Sequence, residues 1–267
     1  GRNGSLSAHI MVFDSGIGGT TVLEHIQQSI PHAQYSYFMD NALLPYGAQS
    51  QQTIIHRLCG LIQFIKDESL NVDLIVIACN TASTSALSSV RQITDIPIVG
   101  VVPAIKPAAQ LTQSKHIGLL ATPATVSSPY TDALIKEHAS SITTSLYSSV
   151  ELVTLAETLF FTQHLDLDKL HTELDRLNIN NDIDVLVLGC THFPILAKPI
   201  SDYFNTQVQL LDSGAAIAKR VSSLLKLSDN QAGIKKPLHY YATADVCSDK
   251  LAVKQVTLFD PTLNDKS

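Results

Sequence analysis

Two cysteines stand where an apolar run stops. Ile75-Val76-Ile77-Ala78-Cys79-Asn80-Thr81 and Leu186-Val187-Leu188-Gly189-Cys190-Thr191-His192 share one pattern: an apolar segment, a small residue, a thiol, then two polar residues. A lone cysteine after a strand is as readily a small buried hydrophobe as a reactive group. Two in matched contexts fit the walls of a pocket better than a core. Thiol and thiolate interconvert not far above neutral pH, around ~8.5 when unperturbed. One thiolate can therefore take a proton from a carbon while an opposing thiol delivers one, and the configuration of that carbon inverts. Facing thiols need not bridge, since a disulfide requires Cα atoms within about 7 Å. Each thiol needs help to ionise, and Asp14 and His192 are the nearby titratable candidates. His192 can equally be read as a structural residue capping the next helix.

Asp14-Ser15-Gly16-Ile17-Gly18-Gly19-Thr20 is a glycine-rich passage from a strand to a helix. Backbone N–H groups at such a helix start suit an anion, phosphate or carboxylate alike. The G-x-G-x-x-G spacing of dinucleotide sites is absent. Pro45-Tyr46-Gly47 carries a turn signal and on its own would be an ordinary loop. Cys59 falls at an apolar helical position among Leu58, Leu61 and Ile62 and reads as core, whereas Cys247 has no assignment.

These residues need elements to position them. Apolar, β-branched runs predict strands at His9–Phe13, Tyr35–Met39, Asp73–Ala78, Pro97–Val102, His116–Leu120, Ser141–Tyr147, Asp184–Leu188 and Thr206–Leu211. Amphipathic stretches predict helices at Thr20–Ser29, Gln51–Glu68, Thr81–Gln92, Pro129–His138, Asp166–Leu177 and Ala215–Leu227. Runs such as Leu74-Ile75-Val76-Ile77 do not alternate, as expected of strands buried on both faces of a parallel sheet. The alternation of elements predicts an α/β fold built of βαβ units. Two internal echoes, the cysteine segments and the pair Asp14-Ser15-Gly16 and Asp212-Ser213-Gly214, suggest two similar α/β domains. The expected division is 10–103 with 212–267 in one domain and 104–211 in the other, the chain crossing at Pro103–Pro107. The stretch 1–9 is expected to be a tag or disordered segment. Ligands of open α/β sheets sit at the carboxyl ends of the strands, where this reading puts Asp14, Cys79 and Cys190.

Composition narrows the class. The chain has 267 residues, 45% of them hydrophobic, and a formal charge of −6 with no cluster of Lys or Arg. A nucleic-acid surface would show a basic stripe, so direct nucleic-acid binding is not expected. No apolar run approaches the ~20 residues of a membrane span, and the first residues lack the pattern of a secretion signal. The four cysteines show no CxxC or zinc-like spacing. Unpaired thiols and no secretion signal point to a reducing, cytoplasmic setting.

The ordered set Phe13-Asp14-Ser15-Gly16-Ile17-Gly18-Gly19, Pro45-Tyr46-Gly47, Ala78-Cys79-Asn80-Thr81-Ala82-Ser83, Gly100-Val101-Val102-Pro103-Ala104 and Gly189-Cys190-Thr191-His192-Phe193-Pro194 resembles glutamate racemases from Met11 to about Tyr241. The resemblance implies two α/β domains with mostly parallel sheets flanked by helices and the active site between them. It implies a homodimer, no cofactor, and supply of D-glutamate for peptidoglycan. It matches Cys79 and Cys190 to the catalytic thiols, Asp14 to the acid assisting the first, and His192 with a preceding Glu to the pair assisting the second. Glu157 is the better match for that Glu and Glu151 the weaker one. Asp14, Ser15, Tyr46, Gly47, Asn80, Thr81, Thr191 and His192 match positions that hold substrate by hydrogen bonds.

The sequence departs from the family in places. Asp40-Asn41-Ala42-Leu43-Leu44 lacks the basic residue common before Pro-Tyr-Gly, Gln49 replaces another that often follows it, and a threonine pair usually flanked by glycines reads Ala121-Thr122-Pro123-Ala124-Thr125. Some relatives bind a cell-wall precursor as activator through an N-terminal extension, and the short stretch before the first strand argues against that mode. Some are reported to bind DNA gyrase, a role on which the motifs are silent. The rivals are an aspartate or hydantoin racemase of the same superfamily and a binding protein that keeps the fold without turnover. Pro-Tyr-Gly and Cys-Thr-His-Phe-Pro favour glutamate, and retention of both cysteines with Asp14 and His192 favours an enzyme. A pyridoxal enzyme is disfavoured because no lysine lies in these motifs.

Overall fold

The structure is a computed structural model that describes residues 8–225, 237–246 and 251–258, so Cys247 lies outside the described residues. Its strands are β1 (His9–Asp14), β2 (Gln34–Met39), β3 (Leu74–Ile77), β4 (Ile98–Gly100), β5 (His116–Ala121), β6 (Thr143–Ser148), β7 (Val185–Leu188), β8 (Gln209–Leu211), β9 (His239–Ala242) and β10 (Val253–Gln255). Its α-helices are α1 (Thr20–Ser29), α2 (Gln51–Asp67), α3 (Asn80–Arg91), α4 (Ile105–Leu111), α5 (Pro123–Val126), α6 (Pro129–His138), α7 (Glu151–Thr162), α8 (Leu167–Leu177), α9 (Ala197–Tyr203) and α10 (Gly214–Leu225). Two separate parallel sheets result, ordered β10-β9-β2-β1-β3-β4 and β6-β5-β7-β8.

The unbroken apolar runs follow from burial on both faces. Side chains alternate across a strand, so Ile10 and Val12 of β1 enter one core with α1 and α10, while Met11 and Phe13 enter another with α2 and α3. The second sheet repeats this: Leu186 and Leu188 of β7 pack under α7 and α8, and Val185 and Val187 pack under α4. The strand ends shift by a residue or two from their predicted limits, except the start of β8, which shifts by three, and α1 and α6 match theirs. Four helices, α4, α5, α7 and α9, and strands β9 and β10 were not foreseen. The strands β9 and β10 are short and half-exposed, so they lack the apolar run that marks a core strand; β9 pairs with β2 from the far end of the chain. His9, which falls both in the leading stretch 1–9 and at the start of the predicted strand His9–Phe13, begins β1 and so leaves the leading stretch: its Nε2 lies 2.7 Å from Ser36 Oγ, and its N–H donates to Asp73 at 2.7 Å. Ala8 also accepts from the Gln34 N–H.

No helix among the described residues is long and apolar enough to cross a membrane.

Candidate active site

Each cysteine follows the last residues of a buried parallel strand, and the carboxyl ends of β1, β3 and β7 meet across the gap between the sheets. Cys79 is the N-cap of α3, its sulfur accepting from the Ala82 N–H at 3.4 Å. Burial pushes its thiol well above the ordinary range. The charges of Asp14 and Cys190 push the same way, while the Ala82 and Thr81 amides oppose them. Cys190 has a different neighbour: its sulfur lies 3.9 Å from Nδ1 of His192. The other ring nitrogen, Nε2, is 2.7 Å from Glu157 Oε2. Burial alone would lower the pKa of His192, but its contacts with Cys190 and Glu157 overcome this and raise it well above the usual imidazole value.

Asp14 ends β1 and is buried. It accepts from Thr191 Oγ1 at 2.7 Å and from the Ser15 N–H at 2.8 Å. Burial raises its pKa; the charge of His192 and these hydrogen bonds oppose the rise. Asp14 thus acts on Cys79 through space, while its hydrogen bond crosses to the other half of the molecule beside Cys190.

A single pocket is lined by Asp14, Ser15, Pro45, Tyr46, Gly47, Cys79, Asn80, Thr81, Thr122, Val153, Gly189, Cys190, Thr191 and His192. Every residue assigned to the site on sequence grounds lines it except Glu157, which stands behind His192. Glu151 is exposed at the first turn of α7, and the carboxylate that meets His192 is that of Glu157. The pocket holds about 280 Å³ of space, part of it open to solvent. Asn80 Oδ1 is buried within it without a hydrogen-bond partner among the described residues, an acceptor free for a donor on a bound molecule.

The glycine-rich turn serves the chain itself as well as the pocket that Asp14 and Ser15 line. Its Ile17 N–H does hold an anion, but that anion is Glu157 Oε2, at 2.8 Å. The glycines serve close approach. A Cβ on Gly18 would lie 2.6 Å from Thr191 Oγ1 and 2.7 Å from the His192 nitrogen. A Cβ on Gly47 would lie 2.3 Å from Thr122 Cβ. Side chains there would wedge the two halves apart. The second Asp-Ser-Gly does not line this pocket: Asp212 caps the Gly214 N–H, and Ser213 donates to the Val102 carbonyl at the crossing between halves.

A sequence profile of the Asp/Glu/hydantoin racemase family matches residues 18–221. The chain belongs to that family. It is 49% identical to a glutamate racemase of Shewanella frigidimarina over 241 residues, 90% of this chain and 91% of that protein. It is 47% identical to one of Shewanella sp. MR-7, covering 86% of this chain and 84% of the relative. Among solved structures, Escherichia coli glutamate racemase in complex with L-glutamate and the activator UDP-MurNAc-ala superposes with a TM-score of 0.83 at 38% identity, covering 90% of this chain and 91% of that one. The Francisella tularensis enzyme in complex with D-glutamate gives 0.75 at 28%, covering 94% and 98%. An allantoin racemase of Klebsiella pneumoniae, at 20% identity and a TM-score of 0.52 over 85% of this chain and 92% of that one, shares the fold.

Two pocket residues escaped the sequence reading. Thr122 was noted only as part of an altered threonine pair; it lies 2.7 Å from Thr81 Oγ1. Val153 sits on the unforeseen α7 and carries no chemical signal.

Proposed function

We propose that this protein interconverts L- and D-glutamate by two-base proton transfer, with one thiol on each face of the α-carbon and no cofactor. The observation that carries this reading is the meeting of Cys79 and Cys190, from strand ends of different sheets, in one pocket, each with its own polar support. In one direction the Cys190 thiolate takes the α-proton of L-glutamate and the Cys79 thiol delivers a different proton to the opposite face. The reverse reaction exchanges the roles. Removing the proton leaves negative charge on the substrate, which the thiol at the opposite face discharges. His192, held protonated by its contacts with Cys190 and Glu157, stabilises the Cys190 thiolate; Asp14 attends Cys79. The unpartnered Asn80 Oδ1 is placed to accept from the substrate ammonium, and Ser15, Thr81, Thr191 and the Tyr46-Gly47 backbone hold the carboxylates.

The domain division at 103/104 and 211/212 belongs to the same proposal, as do a homodimer, a cytoplasmic location and supply of D-glutamate for peptidoglycan. The high identity to proteins named glutamate racemase supports glutamate over aspartate. A pocket that hydrogen-bonds a distal carboxylate at one depth leaves its donors unpaired with a shorter substrate, which can cost factors of ~10⁴. Circular dichroism of L-glutamate and L-aspartate incubated with the cofactor-free protein tests this. Glutamate should lose its optical signal and aspartate should keep it; comparable turnover of aspartate would overturn the assignment.

A further inference from the structure

Behind the pocket lies a buried charged cluster that the reaction scheme does not use. Asp40 directly follows β2 and is fully buried. Its carboxylate gathers donors from three residues, the farthest 203 positions along the chain. Arg57 of α2 grips it with both arms, Nε to Oδ2 at 2.7 Å and Nη2 to Oδ1 at 2.6 Å. Thr243, just after β9, donates to Oδ1 at 2.7 Å. The fourth donor is the phenol of Tyr46, on Oδ2. Of these groups only Tyr46 lines the pocket.

A bidentate guanidinium makes this carboxylate a fixed point, because two parallel hydrogen bonds set orientation as well as distance. Tyr46 is itself buried, its ring tilted against Phe13 at 6.1 Å. The next residue, Gly47, presses on Thr122 of the other half, so a small rotation of Tyr46 would move the pocket wall. The phenol proton is committed to Asp40, so Tyr46 presents its ring and main chain to the pocket. Neither cysteine hangs from this turn: Cys79 and Cys190 are fixed by β3 and β7.

We propose that Asp40 is a positioning residue for the racemase reaction, which holds the Tyr46-Gly47 wall through the Tyr46 phenol and acts on substrate binding more than on proton transfer. The inference rests on the racemase reading above. Arg57 and Thr243 act through Asp40, so their substitution moves the same quantity by less.

The test is steady-state racemisation of both glutamate enantiomers by the full chain. Tyr46→Phe keeps the Asp40–Arg57 pair, and so the fold, while removing only the tie. It should raise KM in both directions about tenfold, the scale of one charge-assisted hydrogen bond, with kcat within about twofold. Asp40→Asn should do the same or more, and adding it to Tyr46→Phe should cost little further, because the two act as a unit. Thr243→Val, remote from the pocket, should raise KM about twofold to threefold, and Arg57→Lys should retain more of the wild-type KM than Arg57→Gln. If Asp40→Asn or Tyr46→Phe keeps the wild-type KM, or if kcat falls by as much as kcat/KM, the proposal is overturned. If the wild type fails to racemise glutamate, the racemase reading falls instead, and this inference with it.

Discussion

The two thiols sit at matched places in two similar halves, yet their surroundings differ. Cys79 caps a helix and faces a buried carboxylate to which it is not hydrogen-bonded; Cys190 faces an imidazole backed by a second carboxylate. The strand–helix architecture fixes where a thiol stands, but the loops and helices around it fix which polar partner it meets. Each carboxylate also reaches across the gap: Asp14 of the first half bonds Thr191 of the second, and Glu157 of the second takes the Ile17 N–H of the first. The two sides are therefore assembled together.

The sharpest way to break this comparison is to remove one thiol at a time. Cys79→Ser and Cys190→Ser should both lose nearly all racemisation, since a serine hydroxyl is far too weak an acid and base near neutral pH. They should differ in a half-reaction. A glutamate analogue with a leaving group on nitrogen needs only one base, so Cys79→Ser should act on the L form and Cys190→Ser on the D form. Action of both variants on one enantiomer would dissolve the proposed division of faces.

The supporting groups come next. Asp14→Asn and His192→Asn should each lower kcat by ~10²-fold or more, the usual contribution of a positioned acid–base group. Their effects on stability should diverge. Burial raises the pKa of Asp14 in the fold, so its contribution to stability is present below its unfolded value and lost as pH rises through the folded one. Asp14→Asn, which does not titrate, should fall furthest below wild type in acid and gain on it as pH rises. The pKa of His192 is also raised, so its protonation stabilises the fold fully below about 6.5, and this is lost as pH rises through the higher folded value. His192→Asn should lose that increment, and its melting temperature should fall most below that pH. Thermal melts across pH for the two variants check both signs.

A smaller effect sharpens the Cys190 side alone. Glu157→Gln keeps the volume but removes a charge that sustains protonated His192. Turnover should fall about tenfold to a hundredfold, the usual cost of losing a residue that orients another. The high-pH limb of the pH–rate profile should move to lower pH, since the imidazole then releases its proton earlier. An unmoved limb would detach Glu157 from the titration.

Much of this was legible in the residues. The runs ending at Cys79 and Cys190 announce themselves because strands buried on both faces cannot alternate, and thiols at their carboxyl ends fall where such folds bind ligands. The role of Glu157 needed the helix α7, whose apolar residues ring the helix too fully to show a clean face in the segment Glu151–Thr162. Asp40, Arg57 and Thr243 were invisible as a set, because nothing local relates residues that meet only when β9 joins β2. The glycine turn suits an anion by its residues, but nothing local shows that its Ile17 N–H meets Glu157, 140 residues away in sequence.

The central claim, one thiol for each face, is tested most directly by racemisation in D₂O followed to low conversion. If Cys79 and Cys190 are separate bases, the proton removed and the proton delivered are different atoms. Product should then carry deuterium at the α-carbon while the remaining substrate keeps its protium, in both directions. Product that retains the substrate's own α-hydrogen would mean that one base serves both faces, and the two-thiol account would be contradicted.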